Sequence, residues 1–251
     1  MASLEEIVSF CDTRARAQEI KDFPGAFNGL QFANDGKVTK IGAAVDAGLV
    51  PFQKARAAGI DFLIVHHGMY WNGVQPVVDI EYKKNKLLID ANMAVYSCHL
   101  PLDAHSEIGN SALLAKAVGI QPSGSFASYE GADIGFVGTW TSDRKALKQA
   151  LVEEFGSGIT AMEFGSDTPS KICVCTGSGS SVIEEMKAAD SDTLITGELK
   201  QHFFNIAQER ELNLYMCGHY ATETFGVKAL ASDCAAKFNL EWEFIETECP
   251  L

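Results

Sequence analysis

Residues 40–67 read KIGAAVDAGLVPFQKARAAGIDFLIVHH, and residues 171–198 read KICVCTGSGSSVIEEMKAADSDTLITGE. The two stretches align without a gap at an offset of 131. They are identical at Lys40/Lys171, Ile41/Ile172, Gly48/Gly179, Ala57/Ala188, Ala58/Ala189, Asp61/Asp192, Leu63/Leu194 and Ile64/Ile195. Farther along, YSCHLPLD (96–103) resembles YMCGHYATE (215–223), and one inserted residue sets His99 on His219 and Asp103 on Glu223. Two matching stretches in the same order indicate an internal duplication.

Each copy reads as strand, turn, helix, strand. In the first, the apolar run Ile41–Val45 predicts a buried strand, Gly48 marks the turn, Val50–Ala58 forms a crossover helix and Asp61–Val65 a second, parallel strand. The same reading gives Ile172–Cys175, Val182–Ala189 and Thr193–Thr196 in the second. Met93–Cys98 and Leu212–Cys217 add a strand to each copy, and helices follow at about 106–118 and 222–237. Alternating β and α segments predict an α/β fold of two duplicated, pseudo-symmetric halves with mixed sheets. The Gly/Ser-rich stretch Gln121–Gly131 is the expected seam, which makes residues 1–125 the N-terminal half and 126–251 the C-terminal half.

Composition narrows the function. Apolar residues make up 47% and charged residues 21%, the profile of an ordinary soluble globular chain of 251 residues. No run is long enough to span a membrane, and the N-terminus lacks the basic-then-apolar pattern of a leader. Ser3 instead stands three before Glu6, a capping box that opens an amphipathic helix with Leu4, Ile7, Val8 and Cys11 inward. A net charge of −13 without any basic cluster argues against nucleic acid as a partner. The seven cysteines (11, 98, 173, 175, 217, 234 and 249) are odd in number and sit mostly in apolar runs, as reduced thiols of a cytoplasmic protein do. Cys173 and Cys175 share one face of a strand, a spacing open to a soft metal as well as to plain burial.

His66-His67 closes the second strand of the first copy. Adjacent strand residues point to opposite faces, so the pair is able to serve two neighbouring centres. His99 with Asp103 and His219 with Glu223 repeat one His-x-x-x-carboxylate spacing. All of these, together with Gly197-Glu198, fall at the carboxyl ends of strands, where open α/β sheets bind ligands, so a metal site between the halves is expected. Imidazole and carboxylate suit divalent first-row metals, which makes His66, His67, Asp103, His219 and Glu223 candidate ligands. Five side chains leave two ions unsaturated, as metal-assisted hydrolysis requires. Two divalent ions outweigh two carboxylates and leave a locally positive pocket for a small anionic substrate. The donor set does not choose among zinc, iron, manganese, nickel and cobalt.

Other residues near these ligands carry two readings each. His99 repeats His219 and is a candidate cofactor-binding residue, either reaching the metal itself or supporting a ligand from behind. Glu198 stands where His67 stands in the first copy and is a candidate general acid or base, or a helix cap. His202 is a candidate proton donor or substrate contact, or a helix-start residue packed on Phe203 and Phe204. Asn28 and Gln31 offer hydrogen bonds to a substrate or shape a turn. His105 falls in an expected solvated loop. Gly177-Ser178-Gly179-Ser180-Ser181 is either an anion cradle or a turn. There is no GxxxxGK[ST], no GxGxxG after a strand and no GxSxG.

Asn28-Gly29-Leu30-Gln31, the VDAG turn at 45–48, His66-His67-Gly68, His99-x-x-x-Asp103 with Gly109-Asn110, Gly197-Glu198 with His202, and Gly218-His219-x-x-x-Glu223 together resemble the NIF-three-like family. These are dinuclear-metal proteins, often called type 2 homologues of GTP cyclohydrolase I, and the resemblance covers essentially the whole chain. It implies a toroidal homohexamer with metal sites facing its cavity. It also implies His66, His67, Asp103, His219 and Glu223 as ligands, with Glu223 the bridge. The constant offset and short seam imply the compact form without an inserted domain. The family's cyclohydrolase label implies water attack on a nucleotide ring, and its eukaryotic name implies a protein partner. The expected function is a cytosolic dinuclear metal hydrolase on a small anionic or nucleotide-like substrate, with metal-activated water as nucleophile and Glu198 or His202 moving protons. The rival is a non-catalytic metal-binding or partner-binding scaffold.

Overall fold

The computed structural model describes residues 1–251 apart from residues 72 and 74. The chain forms two compact units, Met1–Leu102 with Gly226–Glu248, and Asp103–Phe225 with Cys249–Leu251. In chain order the first elements are β1 (Ala2–Ser3), α1 (Leu4–Ala15), β2 (Gly29–Phe32), β3 (Lys37–Val38), β4 (Lys40–Asp46) and α2 (Leu49–Ala57). Next come β5 (Phe62–His67), α3 (Asp79–Ala91), β6 (Ala94–Ser97), α4 (Leu100–Ala104), α5 (Asn110–Ala117), β7 (Gln121–Tyr129) and β8 (Ala132–Thr139). The remainder is α6 (Arg144–Phe155), β9 (Thr160–Glu163), β10 (Lys171–Ser178), β11 (Thr193–Glu198), α7 (Phe203–Glu209), β12 (Asn213–Met216), α8 (His219–Thr222), α9 (Thr224–Phe238) and β13 (Glu241–Phe244).

Both sheets are mixed, as the α/β reading requires. The first unit orders its strands β13-β4-β5-β6-β2 and the second β7-β8-β10-β11-β12-β9. Four strands of each sheet repeat one plan. β4, β5 and β6 run parallel with β2 antiparallel beside β6, and β10, β11 and β12 run parallel with β9 antiparallel beside β12. The registers also repeat: Gly42 faces Leu63, and Cys173 faces Leu194 at the same offset of 131. β2 and β9 obey that offset too, a correspondence invisible in the sequence because GLQF and TAME share no residue.

The second sheet shows how alternation builds its core. Cys173, Cys175, Leu194 and Leu214 pack on one face with Val182, Ile183 and Met186, whereas Ile172, Val174, Ile195 and Tyr215 pack on the other with Leu147 and Leu151 of α6. In the first sheet Ala44, Leu63, Val65 and Val95 pack with Phe52 and Ala55 of α2 and Leu88 of α3. None of the seven cysteines is in a disulfide; six are buried and Cys249 is half-buried.

Gln121–Gly131, expected as a Gly/Ser-rich connecting stretch, holds the strand β7 (Gln121–Tyr129), paired antiparallel with β8 across a two-residue turn. Glu130 and Gly131 both have positive φ (48° and 92°), the geometry of a tight hairpin. Gly and Ser suggested a linker, but β7 is an edge strand whose Gln121–Ser125 segment faces solvent, and Phe126 and Ala127 supply the buried contact. The second crossover, expected as a helix over Val182–Ala189, is a 3-10 turn at Gly179–Ser181 followed by further turns with mixed hydrogen-bond spacing. Val182, Ile183 and Met186 are nevertheless buried, so the apolar periodicity is met without a regular ladder. In α1 the capping box is present and Leu4, Ile7 and Cys11 are buried, while Val8 is only half-buried.

Candidate metal centre

In the first unit, β5 and the second residue past β6 bring three imidazoles together. His66 and His99 are buried and His67 is half-buried. Each offers a donor atom, and the three atoms lie within 4.8 Å of one another. Strand alternation sends the Cβ atoms of His66 and His67 to opposite faces, yet their rings meet at 4.9 Å between centroids. At the strand terminus both rings are drawn in by their Nδ1 partners and converge on His99, whose ring is 4.8 Å from that of His66 and 5.6 Å from that of His67.

Those partners determine what the rings can do. His66 Nδ1 lies 3.0 Å from the Cys98 carbonyl oxygen, His67 Nδ1 2.8 Å from Asp46 Oδ1, and His99 Nδ1 2.8 Å from Asp22 Oδ1. A carbonyl or carboxylate oxygen only accepts, so each Nδ1 is the donor and Nε2 is the nitrogen able to offer a lone pair to a metal. Carboxylates behind histidines are a recurring arrangement in metal sites. Asp22 is itself held. Burial raises its pKa, but the hydrogen bonds from His99 and Asn28 outweigh that, and the net shift is downward, keeping it an anion.

The second unit gathers its own candidate ligands around a bulge at the end of β10. Register slips between Cys175 and Ser178, and Gly177 takes a left-handed φ of 64°. Thr176 Oγ1 donates to Asp103 Oδ1 at 3.2 Å, and Asn110 Nδ2 donates to the same oxygen at 2.9 Å. Asp103 and Asn110 are buried. A Cβ on Gly177 would overlap Glu223 Oε1 and lie 3.2 Å from His219 Nε2, so only glycine lets that carboxylate sit against the strand. His219 Nε2 is 3.2 Å from Glu223 Oε1, and its Nδ1 donates to Glu198 Oε1 at 3.1 Å. The Glu223 hydrogen bond, followed by burial working in the opposite sense and then Glu198, pushes His219 up to about 9. Asp103 and Glu223 also stand close enough to Cys175 to reinforce the upward push that burial exerts on its thiol.

The donor chemistry fits divalent metal. The first unit gathers three imidazoles, and the second gathers two buried carboxylates and an imidazole about one bulge. His99, expected to stand behind a ligand, is placed as a candidate donor equal to His66 and His67. Glu198 lies against His219 Nδ1, the position Asp46 occupies for His67. His202 is exposed, with its ring 4.4 Å from that of Phe203, which is the packing alternative. Asn28 engages the site's supports: its Nδ2 donates to Asp22 Oδ2 at 2.8 Å and its Oδ1 accepts from the His99 amide at 2.8 Å. Gln31 is bonded to backbone at both ends of its amide. His105, expected in solvent, is buried because its Nδ1 accepts the amides of Glu107 and Ile108. Cys173 and Cys175 lie in the apolar core and belong to no cluster of metal-ligating side chains among the described residues. Sequence reasoning missed Asp22, Asp46 and Thr176 as supports. Asp46 lies inside the VDAG turn, whereas Asp22 carries no local signal at all.

Residues 2–250 match the family described as Duf34/NIF3 (NGG1p interacting factor 3). A protein of Pyrococcus abyssi named GTP cyclohydrolase 1 type 2 homolog is 37% identical over 247 residues, covering 97% of both chains. One of the same name from Archaeoglobus fulgidus is 32% identical, covering 97% of this chain and 98% of its own. A crystal structure of a Thermus thermophilus protein superposes with a TM-score of 0.86 at 34% identity, over 99% of this chain and 100% of the other. The solved structure of the protein ybgI, whose function is described as unknown, superposes with a TM-score of 0.90 at 30% identity over the same shares.

Proposed function

The chain belongs to the DUF34/NIF3 family, and on that premise we propose that it is a dinuclear divalent-metal hydrolase acting on a small anionic or nucleotide-like substrate. His66, His67, Asp103, His219 and Glu223 would hold the ions, and His99 is a further candidate donor. The observation that carries it is the clustering of His66, His67 and His99, each with Nδ1 against an oxygen acceptor and each offering a donor atom within 4.8 Å of the others. The name GTP cyclohydrolase 1 type 2 homolog, borne by relatives, supports water addition to a nucleotide-like ring as the reaction class.

Bound divalent ions would supply Lewis acidity and acidify water. The chain's own residues do the rest. Asp46 and Asp22 fix the protons of His67 and His99 at Nδ1 and orient both rings. Asn110 and Thr176 occupy Asp103 Oδ1 and so direct its second oxygen away from them. Glu198 holds a proton at His219 Nδ1, which places it as an orienting group before a proton carrier. The toroidal homohexamer is part of the same proposal.

The test is a hydrolase panel that includes GTP, run on protein loaded with each candidate metal in turn. Turnover that vanishes in Glu223→Ala while sedimentation shows the same oligomer supports the reading. Turnover that survives complete metal removal contradicts it. One observation favours a non-catalytic metal-holding protein instead: Glu198 and His202, the expected proton carriers, are engaged with His219 and Phe203. That reading predicts exchangeable metal and no turnover anywhere in the panel.

A further inference from the structure

Two loops of the first unit carry aromatic side chains to the edge where its histidines gather. Phe23 and Phe27 precede β2, and Tyr70 and Trp71 follow β5. Phe23 meets Trp71 with ring centroids 6.1 Å apart, and Phe27 meets Tyr70 at 5.5 Å, both edge to face. The Trp71 ring lies 4.6 Å from that of His99 and 5.3 Å from that of His67, and the Phe23 ring 5.8 Å from that of His99. Trp71 is 41% exposed and Phe23 43%. Single exposed apolar residues are ordinary, but two large rings set at a right angle beside buried imidazoles form an apolar corner with a polar floor.

The loops are built to hold this corner. Gln31 Nε2 donates to the carbonyl oxygens of Ala26 (2.9 Å) and Phe27 (3.0 Å), while its Oε1 accepts the Met69 amide at 2.6 Å. One side chain thus bolts the loop before β2 to the loop after β5. Gly25 lets the backbones close: a Cβ there would stand 2.8 Å from the Trp71 carbonyl oxygen and 3.1 Å from that of Tyr70. Gln31 itself lies against Gly68, where any side chain would displace it. A preformed surface loses little freedom on binding.

We propose that Trp71 and Phe23 form a stacking subsite for the planar heteroaromatic ring of the substrate, presenting that ring to the histidines, and that Gln31 and Gly25 position the platform. An edge-to-face pair offers one ring a face to stack on and an edge to abut, and both contacts favour a flat π-system over a flexible aliphatic chain. The histidine floor supplies polar contacts for ring nitrogens and carbonyls. The inference rests on the histidine cluster being the reacting site.

The experiment measures binding of guanosine, adenosine and pterin to the metal-loaded protein by calorimetry and tryptophan fluorescence, with ribose 5-phosphate and inorganic triphosphate as ringless controls. At least one ring compound is expected to bind and perturb the fluorescence. Trp71→Ala is expected to weaken it about tenfold or more, Trp71→Phe to retain most of the affinity, and Gln31→Ala to weaken it without touching the ring. Affinity for the ringless controls stays unchanged in all three. Binding by none of the ring compounds, or unchanged binding in Trp71→Ala, overturns the platform. An altered oligomer in Trp71→Ala also overturns it, by assigning the face to a contact between copies. Metal content measured on the same samples separates the two readings: intact metal with no ring binding removes the platform alone, and a wild type that holds no metal removes the metal centre.

Discussion

Gly177 and Glu223 show how a single atom decides this site. The bulge gives Gly177 a left-handed φ and places it where a Cβ would overlap the carboxylate oxygen. Gly177→Ala therefore meets backbone strain and a steric conflict together, and should cost about 1–3 kcal/mol in denaturant unfolding. Metal retention should fall as well, because Glu223 must shift. A variant with wild-type stability and metal content would refute this role. His219 adds a pH dependence. Its pKa is raised from the ordinary 6.5 to about 9, so in metal-free protein the charged pair with Glu223 stabilises the fold fully below pH 6.5, and that contribution is lost as pH climbs through 9. Metal must displace the same proton, so affinity should rise about tenfold per pH unit between 6.5 and 9. A competition titration against a chromophoric chelator reads this directly, and a flat profile would exclude His219 as a ligand.

At the scale of elements, the parallel strand pairs and the histidine-bearing strand end were legible because buried strands are continuous apolar runs and the two copies repeat them in phase. The correspondence of β2 with β9 was not legible, since edge strands keep their place by backbone hydrogen bonds and tolerate unrelated side chains. β7 was misread for the same reason: an exposed edge accepts the Gly and Ser that ordinarily mark a linker. The second crossover kept its apolar spacing and lost its helix, so periodicity predicted burial there and not backbone conformation. Of the site, ligand types were legible from adjacent histidines and repeated spacings. Supports such as Asp22 were not, because their partners lie far away in sequence (Asp22 bonds His99 across 77 residues). The capping box of α1 was legible in full. Ser3→Ala removes the side chain that accepts the Glu6 amide and should lower stability by about 1 kcal/mol, seen as a shifted urea midpoint. No shift would mean that Glu6 alone secures the helix start.

For the molecule as a whole, a chain with net charge −13 gathers three imidazoles in one unit and a carboxylate–imidazole set in the other. Divalent ions held there would create a local positive region against the chain's overall field, and the proposed small anionic substrate rests on that region. The proposed function therefore depends on the metal. The decisive measurement is metal content per chain by elemental analysis, on protein purified without chelators or an affinity metal. The account predicts close to two divalent ions per chain, falling sharply in His67→Ala and Glu223→Ala. Essentially no metal, even after incubation with zinc, iron, manganese, nickel and cobalt, would contradict it.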